Sequence, residues 1–392
     1  MREKVALVCQ RYGLEVNGGS ELHCRHLAEK LSAFYCVEVY TTCCADDYVT
    51  WKNSFQPGTE TINGVIVHRF QVTKMRNLRT FNSISEQIIA DPSHSVEDEL
   101  RWVDEQGPVC PELLEQLKAV HQNYKVIIFM TYLYYLTAMG LPLGFENALL
   151  VPTAHDEFPM YFRYYERVFC SAKGFIWNTL VEKNFVEGRF PKIKNTPGVI
   201  AGVGVDVPDG DLPDIPQKIQ NSPYIVYAGR IDNGKGCGEM FRFFRRYKQQ
   251  YGGSLQLVLM GKAVMEVPEA DDIVNLGFVS EELKFAVMRS AQALVLFSPL
   301  ESLSAVVLES MCMGRPVVVN GKCAVLKEHC LRSNAGLYFE NYSEFAAILN
   351  YLRTHKREYQ IMCENGKKYI SENYQWDVII QRIRQLIEDS VS

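Results

Sequence analysis

The 392-residue sequence carries little excess charge of either sign. Its 41 Lys and Arg residues nearly balance its 46 Asp and Glu residues, so the net charge is only −5. Proteins that bind nucleic acid through its phosphates generally present a strongly basic face. The weak acidity therefore predicts no nucleic-acid partner, although a single site can still be basic.

The twelve cysteines lack the C-x-x-C spacing that is typical of zinc and redox motifs. The N-terminal apolar run, from Val5 to Cys9, is shorter than the roughly 7–15 residues of a secretory signal. We therefore expect a cytoplasmic chain whose cysteines are mostly small buried hydrophobes, with a disulfide framework or a zinc site as the alternative. His23 and His26 have no third ligand nearby, and we expect neither a metal nor another cofactor.

The sequence also lacks an uninterrupted apolar segment that could cross a membrane. Residues 126–145 have no formal charge, but they contain Gly140, Pro142 and Gly144. This segment divides into a β-branched strand, KVIIFMT, and a helix-like piece, YLYYLTAMG. We therefore expect a buried strand and a helix, and no transmembrane segment.

Strand-like runs alternate with helical patterns along nearly the whole chain. A linker rich in Pro and Asp at residues 205–223 separates one set of runs from a second, which includes YIVYAGR, LQLVLMG and ALVLFS. Such alternation predicts right-handed β-α-β units and parallel sheets. The sequence thus predicts an α/β protein with two doubly wound domains.

Residues 73–118 are the least regular part of the first domain. The segment opens with Lys74, Arg76 and Arg79 and continues into the acidic sequence VEDELRWVDE. We expect a helical insertion there. Its basic opening is either a solvated face or a contact for an anionic lipid or acceptor.

Two glutamates, Glu301 and Glu309, stand eight positions apart in SPLESLSAVVLESMCMGRPVVV, residues 298–319. On one continuous helix they would lie about 12 Å apart and about 80° out of phase. If Pro299 ends a strand and Ser304 caps a helix, Glu301 lies on the loop and Glu309 in the helix. Both can then point into the crevice at the carboxyl edge of the sheet, where open α/β sheets bind ligands.

Arg230 and Lys235 follow a predicted strand in the glycine-rich segment YAGRIDNGKG. Two fixed cations at the mouth of a sheet suit a diphosphate, because they neutralise leaving-group charge without a metal. The backbone amides at the start of the helix after Glu301 add a second anion site.

Gly18 and Gly19 lie between the first predicted strand and the first helix. They permit a phosphate or a sugar to approach the backbone closely. Neither this pair nor GVG at residues 202–204 forms the G-x-G-x-x-G fingerprint. The missing fingerprint argues against a nicotinamide-dependent dehydrogenase.

Together these motifs resemble the retaining GT-B glycosyltransferases of family 4. The resemblance covers almost the whole chain, and its segments run in order: NGGSELHCRHLAEKL, INGVIVHRF, VPTAHDE, YAGRIDNGKG, NLGFV, the E-x7-E block, VLKEH with NAGLYF, and YQWDVIIQRI. It implies the GT-B fold, with two Rossmann-like domains whose parallel sheets face across a cleft. Residues 1–207, completed by a C-terminal helix at 375–392, would form the acceptor-side domain, and residues 218–374 the donor-binding domain.

The resemblance also implies catalytic roles. Glu301 would contact the hydroxyls of the donor sugar, and Arg230 and Lys235 would bind the diphosphate. His155, after the predicted strand ALLVPT, matches the histidine near the reacting carbon of the donor.

The remaining donor contacts follow from the same resemblance. Glu309 would bind the ribose of the nucleotide. The rest of the expected donor-binding set consists of backbone positions, namely Phe278 and Val279 at the base, and Gly18, Gly19, Ser302, Leu303 and Ser304. The chain departs from the family pattern where Ser302 replaces the usual Gly and where KCAVLKE replaces a Gly-Gly segment, leaving Glu328 as the match there.

The resemblance implies a retaining hexosyltransferase that moves a sugar from a nucleoside diphosphate sugar to a hydroxyl of a saccharide or lipid-linked acceptor, in polysaccharide or glycoconjugate synthesis. UDP-sugars such as UDP-glucose are the default donors, and GDP- and ADP-sugars stay open. Peripheral contact with the inner face of the membrane also stays open. The alternatives are a related hydrolase or epimerase and a catalytically idle nucleotide-sugar binding protein.

Overall fold

The computed structural model describes residues 2–16, 18–45 and 49–390, which divide into two compact units. Unit 1 comprises Met1–Gly202 with Ile380–Ser392, and unit 2 comprises Val203–Ile379. The chain therefore passes between the units twice, at 202/203 and at 379/380. The boundaries drawn from the sequence lie at 207 and 375, a few residues from these two crossings.

Unit 1 contains a sheet of eight described strands with helices in the connections. Its strands are β1 (Lys4–Val8), β2 (Cys36–Thr42), β3 (Gly58–Ile62), β4 (Val65–Phe70), β5 (Val126–Met130), β6 (Ala148–Val151), β7 (Gly174–Trp177) and β8 (Gly198–Ile200). Its helices are α1 (Gly19–Leu31), α2 (Leu78–Ala90), α3 (Val96–Gln106), α4 (Pro111–Val120), α5 (Tyr135–Gly140), α6 (Arg163–Ser171) and α7 (Leu180–Arg189).

The strands of unit 1 lie in the order β3-β4-β2-β1-β5-β6-β7-β8. All the pairs are parallel except β3 with β4, which is an antiparallel hairpin at the edge. The predicted parallel sheet is thus confirmed, and the antiparallel edge pair is an addition to it that was not predicted, since the polar, exposed sequence GTETI of β3 gives no buried-strand signal. The order reverses between β1 and β5, so the crevice of this sheet lies at their carboxyl ends.

The uncharged segment at 126–145 forms a strand and a helix, as predicted. Every residue of β5 is buried, and Leu136 and Ala138 of α5 pack in the same core. Among the helices of the described residues, none is both long enough and apolar enough to cross a bilayer.

The insertion at residues 73–118 is helical, as predicted. Two of its first basic residues make contacts within unit 1. Lys74 contacts Asp104 and lies 2.7 Å from a carboxylate oxygen of Glu105. The guanidinium of Arg76 donates to the carbonyl of Gln106 and stacks on the Trp51 ring. The positive charges of Lys74 and Arg76 are therefore engaged by contacts within unit 1.

Unit 2 contains a sheet of six described strands, all paired in parallel. Its strands are β9 (Tyr224–Ala228), β10 (Gln256–Met260), β11 (Ile273–Asn275), β12 (Ala293–Leu296), β13 (Val317–Asn320) and β14 (Gly336–Phe339). Its helices are α8 (Gln217–Gln220), α9 (Cys237–Tyr251), α10 (Glu281–Ser290), α11 (Ala305–Cys312), α12 (Ala324–Ser333), α13 (Tyr342–Thr354), α14 (Lys356–Asn373) and the start of α15 (Trp376–Asp389).

The strand order of unit 2 is β11-β10-β9-β12-β13-β14, so its order reverses between β9 and β12. Apolar residues dominate these strands because helices cover both faces of a doubly wound sheet. On α9, Phe241, Phe244 and Tyr247 are buried, which confirms the predicted core stripe. The twelve cysteines of the chain are free thiols, and most are buried, as expected for small core residues.

The two ends of unit 2 meet beside Trp376. The backbone N–H of Val205 donates to the carbonyl of Tyr374 at 3.1 Å, and the Trp376 indole N–H donates to Asp206 at 2.8 Å. Gly204 lies flat against the indole, where an added Cβ would come within 2.5 Å of the ring. The glycine is therefore required by packing.

We predict that Gly204→Ala destabilises the protein by about 1–3 kcal/mol, because the methyl group forces Trp376 from its site. Gly188→Ala is the matched control: a Cβ there meets nothing within 4 Å, and α7 gains a better helix former. That control should stabilise by up to about 1 kcal/mol. Urea unfolding followed by circular dichroism measures both, and equal midpoints for the two variants would contradict the packing role of Gly204.

Candidate functional site

The loop after β9 carries the two predicted cations. Asp232 organises it, because its carboxylate accepts from the Arg230 side chain and, at 2.7 Å, from the backbone N–H of Lys235. The buried hydroxyl of Tyr227 donates to the carbonyl of Arg230 at 2.7 Å. These hydrogen bonds thus fix the backbone of Arg230 and Lys235 at the carboxyl edge of the sheet. The loop lies next to the point where the strand order reverses, between β9 and β12.

Two glycines allow this loop to sit close to neighbouring backbone. Gly236 has a φ of +73°, and an added Cβ would overlap the carbonyl oxygen of Phe297. Gly261, after β10, has a φ of +138°, and a Cβ there would overlap the carbonyl of Gly229. Side chains at these positions would push the strand-end loops apart.

Glu301 lies on the loop between β12 and α11, as predicted. Its Oε1 accepts from Lys235 Nζ at 2.8 Å, and its side chain is largely buried while the lysine is about one-third exposed. Residues 66 positions apart therefore form one ion pair at the carboxyl edge. The structure brings these two predicted residues together.

Glu309 lies in α11, as predicted, and its charge is balanced by a residue that the sequence analysis missed. Lys284 of α10 donates to Glu309 Oε1 at 3.0 Å and lies 2.6 Å from Glu281. Burial raises the pKa of Glu309, which Lys284 opposes. Burial would lower the pKa of Lys284, but the Glu309 and Glu281 carboxylates raise it above its ordinary value.

The second oxygen of Glu309, Oε2, has no hydrogen-bond partner among the described residues. A buried acceptor is usually satisfied, so an unfilled one identifies a position for a donor group. Glu309 therefore has one oxygen fixed by Lys284 and one available to accept.

The start of α11 differs from the expected cap. β12 ends at Leu296, three residues before Pro299, and Ser304 occupies the N-cap position. The expectation that the Ser304 side chain caps the helix was wrong: it makes no cap hydrogen bond, and its buried Oγ has no partner among the described residues. Its backbone is left-handed, with a φ of 70° and a ψ of 81°. This geometry turns Oγ away from the amides that a capping serine would satisfy.

A buried histidine fixes the residue before Ser304. His329 of α12 lies 2.8 Å from the carbonyl of Leu303 through Nε2 and 3.2 Å from the Tyr369 hydroxyl through Nδ1. Burial lowers the pKa of His329 to about 4, so the ring is neutral near pH 7 and donates only from Nε2. The neutral, buried ring of His329 therefore helps to hold the left-handed backbone of Ser304 in place.

Of the other residues expected in unit 2, Phe278, Val279 and Ser302 lie on loops that follow strands, whereas Glu328 lies within α12. Phe278 follows β11 and is 77% exposed, unusual for its size, and Val279 comes next. Ser302 is half-buried on the Glu301 loop. Glu328, the uncertain match on α12, lies 3.8 Å from Arg332 one turn later.

In unit 1, Gly18 and Gly19 precede and begin α1 at the carboxyl edge of β1. An added Cβ on Gly18 would overlap the buried ion pair of Arg11 and Glu21, whereas a Cβ on Gly19 meets nothing within 4 Å. Gly18 is therefore explained by packing, and only Gly19 offers open backbone.

His155 follows β6 at the carboxyl edge of the same sheet. Its Nε2 lies 3.5 Å from Glu157, and its buried Nδ1 has no partner among the described residues. His155 and Gly19 thus belong to the sheet of unit 1, and the two lysine–glutamate pairs belong to the sheet of unit 2.

The sequence analysis missed Asp232, Lys284 and His329. Asp232 lies inside the segment YAGRIDNGKG, between the two cations, and could have been found there. His329 ends the quoted segment VLKEH, but nothing in that segment indicates its contact with Leu303. Lys284 lies on a helix outside the motifs, and only the fold brings it to Glu309.

We predict that Lys284→Met destabilises the protein by about 3–5 kcal/mol near pH 8, because it leaves the Glu309 charge buried and unpaired. The pKa of Glu309, already raised, rises further without the lysine. Stability is therefore retained at low pH and lost as the pH rises above about 4.5 and through the raised folded value. Chemical unfolding at pH 5 and pH 8 should show the larger deficit at pH 8.

The double variant Lys284→Met/Glu309→Gln is the control, since it removes both charges together. It should recover most of the lost stability and flatten the pH dependence. An identical deficit at both pH values in the single variant would contradict the prediction, because it would show that the protonation of Glu309 between pH 5 and pH 8 does not depend on Lys284.

Residues 222–355 match the family model described as glycosyl transferases group 1. The chain is also 27% identical over 165 residues to the Glycosyltransferase 1 domain-containing protein 1 of Xenopus tropicalis. That match covers 40% of this chain and spans about half, 47%, of the relative's own length.

Solved structures resemble the whole chain. Sucrose-phosphate synthase from Thermosynechococcus elongatus superimposes with a TM-score of 0.70 at 17% identity, covering 99% of both chains. An α,α-trehalose-phosphate synthase (UDP-forming) from Burkholderia vietnamiensis gives 0.73 at 12% identity, covering 100% of this chain and 98% of its own. The Anabaena protein HepE, in complex with UDP and glucose, gives 0.63 at 16% identity and covers 99% and 100%. At these identities the likeness concerns the fold: the chain has the GT-B fold, and its residues 222–355 match the group 1 glycosyl transferase family.

Proposed function

We propose that this protein is a glycosyltransferase that moves a hexose from a nucleoside diphosphate sugar to a hydroxyl acceptor, with retention of anomeric configuration. One observation carries the proposal. Two ion pairs, Lys235 with Glu301 and Lys284 with Glu309, lie at the carboxyl edge of unit 2 inside the segment that matches the family. The lysine of the first pair suits the diphosphate of such a donor, and the two carboxylates suit the hydroxyls of its sugar and its ribose.

The Lys235–Glu301 pair suits an exchange of partners. A bound diphosphate offers Lys235 a stronger anion than one carboxylate. Lys235 would then turn to the phosphates, and Glu301 would be released to accept hydrogen bonds from the sugar hydroxyls. Donor binding would thereby prepare the carboxylate that orients the sugar.

Glu309 suits the ribose. Its Oε1 is held by Lys284, and its Oε2 lacks a partner among the described residues, so a ribose hydroxyl can donate to the carboxylate. The backbone at Phe278 and Val279 would hold the base. The exposed ring of Phe278 stands beside that position.

Bond cleavage would depend on stabilising the leaving diphosphate. Arg230, Lys235 and the backbone amides of Ser302, Leu303 and Ser304 are the groups proposed to do so. His155, in unit 1, would contact the donor near its reacting carbon. Both a front-face displacement and a covalent intermediate are compatible with these roles.

We propose a UDP-sugar donor, such as UDP-glucose. Two of the similar structures support this choice: the trehalose-phosphate synthase is UDP-forming, and HepE was solved in complex with UDP and glucose. The acceptor would be a saccharide or a lipid-linked saccharide bound by unit 1, in cytoplasmic polysaccharide or glycoconjugate synthesis, with contact at the membrane surface as an option.

The donor is identified by binding. Thermal shift or calorimetry across UDP, GDP and ADP, followed by their sugars, should give the largest stabilisation for UDP and its hexoses, because a ligand of the folded state raises stability according to its affinity. A larger shift with GDP or ADP would reassign the base. No shift with any nucleotide would remove the proposal.

Substitutions in the two ion pairs should affect different steps, namely nucleotide binding and sugar transfer. Glu309→Gln should weaken UDP binding about 10- to 100-fold, because the ribose loses a hydrogen bond to a charged group. Lys235→Ala should lower kcat about 100-fold or more, because the developing diphosphate charge loses its cation. Lys368→Ala, at a lysine 72% exposed on α14, is the control and should behave as the parent protein.

Product analysis separates transfer from its alternatives. Hydrolysis of the UDP-sugar without acceptor, as fast as transfer with acceptor, would indicate a hydrolase. Binding without turnover of any donor would indicate an idle binding protein. An anomeric product inverted relative to the donor would refute the retaining mechanism.

We further propose that transfer needs no metal, since Arg230 and Lys235 supply the positive charge that the diphosphate requires. Excess EDTA should leave the rate unchanged, and loss of activity that Mg²⁺ or Mn²⁺ restores would contradict this.

A further inference from the structure

Glu182, on α7 of unit 1, is a buried carboxylate that the proposed chemistry does not use. Its side chain is 1% exposed. Oε1 accepts from the backbone N–H of Ala154 at 2.6 Å, and Oε2 accepts from the backbone N–H of Asn178 at 2.6 Å. One side chain thus joins the loops that follow β6 and β7.

The local sequence directs the carboxylate to these amides. Thr179 caps α7 by accepting from the backbone N–H of Glu182 at 3.0 Å, which is half of a capping box. The carboxylate of a capping-box glutamate usually returns to the N-cap amide. Here the Thr179 amide also acts on the carboxylate, but its two shortest bonds run to the amide one residue further back and to the neighbouring strand end.

The bond to Ala154 closes a strained segment. Thr153 has a φ of +53°, which is uncommon for a β-branched residue, so surrounding contacts must hold it there. Ala154 is the next residue, and His155 follows it. The hydrogen bond from Ala154 to Glu182 therefore fixes the backbone directly before His155.

A second contact completes the support of His155. The hydroxyl of the buried Tyr132 donates to Glu157 at 2.7 Å, and Glu157 lies 3.5 Å from His155 Nε2. The imidazole is therefore positioned from its backbone by Glu182 and from its ring by Glu157.

Retaining Glu182 costs stability. Burial raises its pKa to about 8, although the backbone amides of Asn178, Ala154 and Thr179 lower it. An apolar side chain would avoid this penalty but would leave the buried N–H groups of Ala154 and Asn178 without an acceptor. The carboxylate therefore holds a geometry that an apolar residue could not hold.

We propose that Glu182 is a positioning residue for His155: its carboxylate holds peptide 153–154 in the strained form that directs the imidazole toward the reacting sugar. The inference rests on the proposed function, since it gives the imidazole a part in sugar transfer. It goes beyond it by assigning a role to a residue outside every motif.

Unit 1 contains a matched control. Glu99, on α3, is also fully buried and accepts from two backbone amides, Arg163 N–H at 3.0 Å and Tyr164 N–H at 2.7 Å. It joins α3 to the start of α6 and does not touch the His155 loop. Glu99 also contacts His94 at 3.0 Å and the Arg163 side chain at 3.7 Å. Glu99→Gln therefore makes the same Glu-to-Gln change at a buried carboxylate that has no contact with the His155 loop.

Glu182→Gln should lower kcat about 10- to 100-fold, as other supporting groups of reactive side chains do, while the KM for the donor and the affinity for UDP stay as in the parent. The amide offers one acceptor where two donors point, so one loop is released. Glu99→Gln should lose stability and keep the parent kcat. If Glu182→Gln does not fold, Glu182→Asp tests the same bonds with a shorter carboxylate.

A double-mutant cycle supplies the decisive comparison. In a His155→Ala background, Glu182→Gln should cost less than threefold in kcat, because two residues that act through one another are not additive. Independent effects that multiply would overturn the proposal. So would an unchanged kcat in Glu182→Gln, or an equal loss in Glu99→Gln.

A readout that does not need turnover separates this inference from the proposed function. The imidazole signals of His155, assigned by comparison with His155→Gln, should shift in the NMR spectrum of Glu182→Gln and stay in place in Glu99→Gln. A shift in a protein that transfers no sugar would refute the function and leave the positioning intact. An unmoved His155 signal would refute the positioning.

Discussion

The pairing of Lys235 with Glu301 is the interaction on which the candidate site depends. It joins the loop after β9 to the loop after β12, the two strands between which the order of the unit 2 sheet reverses. The close approach of Gly236 to Phe297 brings these loops within reach. Arg230, Lys235 and Lys284 each already have a carboxylate partner, so these groups together carry little net positive charge. A diphosphate would therefore be recognised by exchanging partners, since little net positive charge draws it in. The mild overall charge of −5 is compatible with this, because the binding charge is local.

Three largely buried polar groups support the two candidate sites. Lys284 fixes one oxygen of Glu309, His329 holds the carbonyl before the strained Ser304, and Glu182 holds the amide after the strained Thr153. Each support comes from a helix: Lys284 acts on helix α11, whereas His329 and Glu182 act on loops that follow strands. Strained backbone is retained only where neighbouring structure fixes it. Two of the left-handed residues, Thr153 and Ser304, therefore lie on loops that are proposed to handle the ligand, and side chains from helices hold both of them.

The fold could be predicted from the sequence because alternating buried strands and amphipathic helices leave a periodic signal. The edge hairpin of β3 could not, since an exposed strand such as GTETI lacks that signal. For the site, the loop position of Glu301 and the helical position of Glu309 followed from local signals. The contacts of Lys284 and His329 depend on long-range packing that no spacing reveals. Ser304 shows the limit of a local rule: it stands where a cap belongs, yet its left-handed backbone prevents the cap.

The meeting of Val205 with Tyr374, and of Asp206 with Trp376, has an architectural consequence. The first and last segments of unit 2 are hydrogen-bonded to each other, so this unit leaves and returns at one place. Unit 2 is therefore inserted in the sequence of unit 1, and its two ends lie side by side. Residues 203–379 could be excised as a single continuous fragment, and a short peptide could join the ends that remain. Unit 1, by contrast, is assembled from two separate pieces of chain and cannot be complete until the last helix has been synthesised.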